Sequence, residues 1–113
     1  MVKEYIPKQG DIIYLDFNLT KGHEQKGKRP AIVVSINIFN EKTNMIMVCP
    51  ITSNTKEFPT HYILEDTKNI KGSVLCEHIR SIDYKARNVI FVEKVSENDK
   101  LSTLMLLNAC YEE

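Results

Sequence analysis

Read for the order of apolar and polar positions, the chain divides into short β-like runs up to about residue 95 and a helical stripe after it. Gly10–Phe17 (GDIIYLDF) mixes β-branched and aromatic residues behind a Gly-Asp start. Pro30–Ser35 (PAIVVS) and Met45–Pro50 (MIMVCP) are short continuous apolar runs, the mark of strands covered on both faces, and the proline is expected to end the second. Thr60–Leu64 alternates, Gly72–Glu77 follows a polar turn at Asp66–Lys71, and Asn88–Val95 is apolar again. Short helical turns are expected at Ile36–Asn40 and Arg80–Ala86. Ser96 then reads as an N-cap, with Glu97 and Asp99 well placed for the helix dipole. Asp99 stands where a capping box asks for Glu or Gln, so the box is imperfect. Leu101, Leu104, Met105 and Leu107 form the apolar stripe of a helix over Glu97–Tyr111. The pattern predicts a mainly β fold with some α: a small antiparallel barrel or strongly bent sheet, with the last helix lying on it.

Length and composition narrow this. The 113 residues make one domain, 1–113. No apolar run approaches the roughly 20 residues of a membrane span, and the N-terminus lacks the charged-then-apolar order of a signal peptide. Cys49, Cys76 and Cys110 form no CxxC pair and have no histidine at a ligand-like spacing. They are expected to pack as small hydrophobes in a reducing cytoplasm, rather than to bind zinc or form a disulfide framework.

Charge changes the picture more. Lys+Arg and Asp+Glu both number 15, so the formal net charge is zero. On average this excludes a basic nucleic-acid coat and a polybasic membrane anchor. The average hides segregation, however. Lys21, Lys26, Lys28 and Arg29 against Glu24 give +3 within nine residues, while the C-terminal stretch with Glu97, Asp99, Glu112 and Glu113 against Lys100 carries −3. A charge run is ordinarily a solvated face. This one also holds His23, Glu24 and Gln25 between two glycines, in the longest polar connection of the chain (Asn18–Arg29). Histidine titrates near neutrality, glutamate accepts protons, and arginine or lysine neutralises phosphate. These are the parts for phosphate-ester chemistry without a metal. Arg29 is anchored by Pro30 and the strand behind it; the plain alternative is an ion pair with Asp16 or Glu24. Thr52 and Ser53 follow an apolar strand, where a hydroxyl either stabilises a turn or bonds a phosphate oxygen. Glu77, His78 and Arg80 form a second ionisable cluster. Lys26, Lys28, Arg80, Lys85 and Arg87 are candidate phosphate contacts, although Arg87 also suits a local pair with Asp83.

Tyr5-Ile-Pro7, Gly10-Asp11-Ile12, Asp16-Phe17, Gly22-His23-Glu24-Gln25, Gly27-Lys28-Arg29-Pro30, Phe39-Asn40, Pro50-Ile51-Thr52 and Ile79-Arg80-Ser81-Ile82-Asp83 together resemble the MazF/PemK family, the ribonuclease toxins of bacterial type II toxin–antitoxin pairs. The match runs in order from about Tyr5 to Arg87. The resemblance implies a small SH3-like barrel of the CcdB/MazF type with a C-terminal helix, assembled as a homodimer. It implies cleavage of single-stranded RNA at short motifs without a metal or other cofactor, leaving 2′,3′-cyclic phosphate and 5′-hydroxyl ends. It implies a cognate antitoxin whose disordered acidic C-terminal segment blocks the RNA groove, and operator DNA met only through that antitoxin.

In the MazF branch the active arginine and threonine match Arg29 and Thr52. In the PemK-like branch a histidine and an acid match His23 and Glu77. The chain departs from the family in having Asn18-Leu19 where a proline is frequent, Glu77-His78 in place of Asp-Gln, and Leu75 where the PemK-like arginine stands. The arginine–threonine arrangement is therefore the expected one, with Glu24 or His23 as base. Gln25, Lys26, Lys28, Ser53, Glu77, Arg80 and Arg87 are the expected RNA contacts. The alternative is a CcdB-like toxin that inhibits DNA gyrase by protein contact, which needs neither the GHEQ…KRP loop nor Thr52.

Overall fold

Ile12 and Ile13 are neighbours in sequence, yet both have 0% of their surface exposed. Successive strand side chains point to opposite faces, so the strand that carries them must be covered on both. The computed structural model describes residues 4–16 and 29–112, and it shows two cores on either side of one sheet. Ile12, Ile32, Val34, Cys49, Ile51 and Val74 belong to the first. Ile13, Leu15, Ala31, Val33, Ile46 and Val48 belong to the second. The continuous apolar runs of the sequence are thus shared between two faces.

The strands are β1 (Asp11–Leu15), β2 (Arg29–Val33), β3 (Met45–Thr52), β4 (His61–Ile63), β5 (Ser73–Leu75), β6 (Arg80–Asp83) and β7 (Ile90–Lys94); the helices are α1 (Asn37–Thr43) and α2 (Glu97–Ala109). The hydrogen-bonded order is β4-β5-β3-β2-β1-β7, with β6 also on β3, and every pairing is antiparallel. This is the expected small antiparallel architecture with a C-terminal helix, its hydrogen-bonded path running open from β4 to β7. The bend lies in β3. Its first half, Met45–Val48, pairs with Asp83–Arg80 of β6, and its end, Ile51–Thr52, pairs with Val74–Ser73 of β5.

Pro50 sits at the changeover. It does not end the strand: it still lies opposite Ala31 of β2, while its missing N–H falls between the two partners on the other edge. Arg80–Ala86 also departs from expectation. Residues 80–83 form a strand, because Ile82 points into the second core, and the turn begins only at Tyr84. The turn expected at Ile36–Asn40 is the start of α1, and the last helix stops at Ala109 rather than Tyr111. Cys49 and Cys76 are buried as expected, but Cys110 is exposed, just past the helix end.

Helix α2 lays Leu104, Leu106 and Leu107 on the first core. Its start is capped as the sequence suggests, with Asp99 N–H donating to Ser96 Oγ at 3.0 Å. The Asp99 carboxylate does something else. It is completely buried, and it accepts hydrogen bonds from Tyr62 Oη at 2.6 Å and from the backbone N–H groups of Glu65 and Asp66 at 3.1 and 2.9 Å. Burial first, and then the hydrogen bond to Asp99, push the Tyr62 hydroxyl up to about 12. An acid in the first helical turn therefore fastens the chain leaving β4. Asp99→Ala strands three donors, so a loss of about 3 kcal/mol is expected, measured as a lower midpoint in urea unfolding.

Candidate active site

The register of β2 against β3 places Ala31 opposite Pro50 and Ile32 opposite Cys49. Carried two residues further, the same register sets Arg29 beside Thr52. Both side chains line one groove of about 720 Å³, together with Ser53, Lys71 and Arg80. Each is delivered by a different element: Arg29 opens β2, Thr52 closes β3, and Arg80 opens β6. Arg29 and Arg80 are exposed and Thr52 is half-buried. Thr52 Oγ1 accepts the N–H of Asn54 at 3.2 Å. The hydroxyl thus stabilises the following turn and keeps its own proton to donate. The described lining includes three cationic side chains and no carboxylate, so the groove is built for an anion.

The third cation, Lys71, went unnoticed in the sequence because it closes a polar turn. The loop that presents it is fastened from two sides. Asp99 holds its beginning. Glu93 of β7 then accepts the N–H groups of Lys68, Asn69 and Ile70 at 3.0, 2.9 and 2.8 Å. Burial pushes the Glu93 carboxyl upward, but these hydrogen bonds and the Lys71 charge outweigh it and hold the carboxyl below the usual range. Lys71 Nζ donates to the carbonyl of Thr67. At the end of the loop Gly72 has φ +149°, and a Cβ there would stand 2.1 Å from the Thr52 carbonyl oxygen. Only glycine lets the chain pass so close behind the groove.

Other expected contacts lie elsewhere. Ser53 is in the groove, but Arg87 is not. Its guanidinium donates to the Asp16 carbonyl at 3.0 Å, and Asn88 Nδ2 donates to Asp16 Oδ2 at 3.0 Å, so it braces the chain at residue 16. Lys85 pairs with Glu4 at 3.4 Å. The Glu77 carboxylate is turned toward its own surroundings: Thr60 Oγ1 donates to it at 2.6 Å, His61 Nε2 lies 2.8 Å away and His78 Nε2 3.6 Å. Burial acts upward on Glu77, but the bonds from Thr60 and His61 prevail and lower its pKa. His23, Glu24, Gln25, Lys26 and Lys28 lie outside the described residues. Among the described residues no cluster of three or more His, Cys, Asp or Glu could hold a metal ion, and no helix is long and apolar enough to cross a membrane.

A groove of this composition on a bent antiparallel sheet defines a class. The model of the PemK-like, MazF-like toxins of type II toxin–antitoxin systems matches residues 8–108. The endoribonuclease toxin MazF of Escherichia coli (strain K12) is 40% identical over 87 residues, spanning 77% of this chain and 78% of that protein. The crystal structure of MazF from Deinococcus radiodurans superposes with a TM-score of 0.83 at 30% identity, covering 97% of this chain and all of that one. A MazE–MazF complex from the same organism gives 0.83 at 28% identity, covering 96% and 98%. The chain belongs to the PemK-like, MazF-like toxin family.

Proposed function

We propose that this chain, as one domain of 113 residues, is a sequence-specific endoribonuclease toxin that cleaves single-stranded RNA to 2′,3′-cyclic phosphate and 5′-hydroxyl ends. The observation that carries the reading is the meeting of Arg29 and Thr52, from two strands, in one cationic groove. The reaction is attack by the RNA 2′-hydroxyl on the adjacent phosphorus, with the 5′-oxygen leaving. It requires a base at the 2′-oxygen, charge stabilisation on the phosphorane, and a proton for the leaving oxygen. Arg29 meets the growing charge with its planar fork; a pKa above about 12 suits it to this role better than to proton transfer. Thr52 donates its hydroxyl proton to a non-bridging oxygen. Arg80, Lys71 and Ser53 hold the flanking backbone, with Gln25, Lys26 and Lys28 contributing from the preceding segment. Glu24 or His23, five and six positions before Arg29 in the chain, supplies the base.

The active form is a homodimer in the cytoplasm, where free thiols persist. It is neutralised by a cognate antitoxin whose disordered acidic C-terminal segment occupies the same cationic groove, and it reaches operator DNA only through that antitoxin. The family membership supports this reading over gyrase inhibition. The test is incubation of purified protein with a long single-stranded RNA in the presence of a chelator, followed by mapping and end-group analysis. Discrete cuts bearing cyclic phosphate are expected. Intact RNA alongside gyrase-dependent DNA cleavage overturns the assignment.

A further inference from the structure

Thr52 and Leu75 line two cavities. One is the cationic groove; the other is a recess of about 310 Å³ on its far side, walled by Asn54, Phe58 and His61. Phe58 leaves 56% of its surface exposed, although its ring is far from idle. Its centroid lies 4.9 Å from that of the His61 imidazole, at an interplanar angle of 39°. The backbone N–H of His61 donates to the Phe58 carbonyl at 3.0 Å, closing the turn that holds the two rings together. Behind them, His61 Nε2 is fixed on Glu77 at 2.8 Å, and the other oxygen of that carboxylate is taken by Thr60 at 2.6 Å. A half-exposed aromatic ring is thus oriented from the rear by an imidazole that is itself oriented by an acid.

We infer that this recess is a nucleobase subsite of the RNA-cleaving site proposed above, on which the inference rests. With a phosphate at Arg29 and Thr52, one neighbouring nucleotide is directed across Thr52 into the recess. Unpaired bases offer a free aromatic face, and proteins that grip single strands meet that face with exposed aromatic side chains. Phe58 is the stacking platform. His61 sets its angle, and Asn54 is within the same walls to meet the base edge. Glu77, expected from the sequence to touch RNA, instead acts as a positioning residue for His61.

The test pairs a variant with a modified ligand. A short RNA containing a cleavage motif is synthesised with 2′-O-methyl groups, which blocks attack, and a second series replaces one base at a time by an abasic residue. Phe58→Ala is expected to bind the parent oligonucleotide about tenfold or more weakly. Removing the base at one position next to the scissile phosphate should weaken wild-type binding by a similar factor and leave Phe58→Ala unaffected. Phe58→Tyr should restore the wild-type pattern. On a randomised cleavable library, Phe58→Ala should lose base preference at that same position. Equal affinity of Phe58→Ala and wild type, or abasic losses that are the same in both proteins at every position, overturns the subsite. Absence of any RNA cleavage by the wild type instead overturns the enzymatic reading, and the binding series still decides what the recess does.

Discussion

Arg29→Ala and Thr52→Ala are each expected to lower the rate of RNA cleavage by about 10²–10³, the usual consequence of removing one donor aimed at developing charge. Both residues stand at strand ends and are not buried, while Ala31 and Ile51 further along their strands are in the core, so loss of either side chain leaves the fold intact. Thr52→Ala also removes the acceptor for Asn54 N–H, but that group is exposed and turns to water. The two variants differ in what they lose. Arg29→Ala removes positive charge as well as a donor, and it should therefore weaken RNA binding and flatten its salt dependence. Thr52→Ala should act chiefly on the chemical step. Arg29→Lys is expected to recover binding but little rate, because an ammonium cannot make the forked contact. Single-turnover cleavage of a defined oligonucleotide across a salt series separates these effects. Full cleavage by purified Arg29→Ala would remove it from the site.

Gly72→Ala is expected to be as damaging by a different route. The added Cβ would lie 2.1 Å from the Thr52 carbonyl oxygen and 2.9 Å from the carbon that bears it. Both are backbone atoms in a paired strand, where Thr52 meets Ser73, and neither moves without breaking that pairing. The φ of +149° adds a conformational cost for any residue with a Cβ. A loss of about 3 kcal/mol or more follows, read as a fall of about 10 °C in the melting temperature. Whatever folded protein remains should cleave RNA poorly, because the displaced atoms carry Thr52. A variant with unchanged melting temperature and full activity would contradict the contact.

The strands and the capped last helix were legible because they depend on short-range pattern: continuous apolar runs for strands with two buried faces, Ser96 for the helix start. What failed were readings of single residues whose meaning depends on a distant partner. Pro50 looked like a strand end, and only the handover from β6 to β5 along β3 makes room for it. Arg80–Ala86 looked like a turn, but Ile82 has a core to enter. Arg29, Thr52, Ser53 and Arg80, singled out by residue type and motif, meet in one groove. Lys71, Gly72, Phe58 and His61 were missed. A lysine ending a polar turn, a glycine, and two aromatic residues near a short strand carry no local mark of what the fold sets beside them. Glu77 was noticed for its charge, which is spent on Thr60 and His61 rather than on the groove.

The loop that forms one wall of the groove owes its shape to carboxylates made later in the chain. Glu93 binds amides 23 to 25 positions earlier, and Asp99 binds groups 33 to 37 positions earlier. During synthesis, Arg29 and Thr52 leave the ribosome well before either anchor exists. A nascent chain carrying these two residues lacks both anchors of that wall until the start of the last helix has emerged. For a nuclease translated from the very kind of molecule it would cut, assembly of the cutting groove is thereby deferred until both anchoring carboxylates, Glu93 and Asp99, have been made.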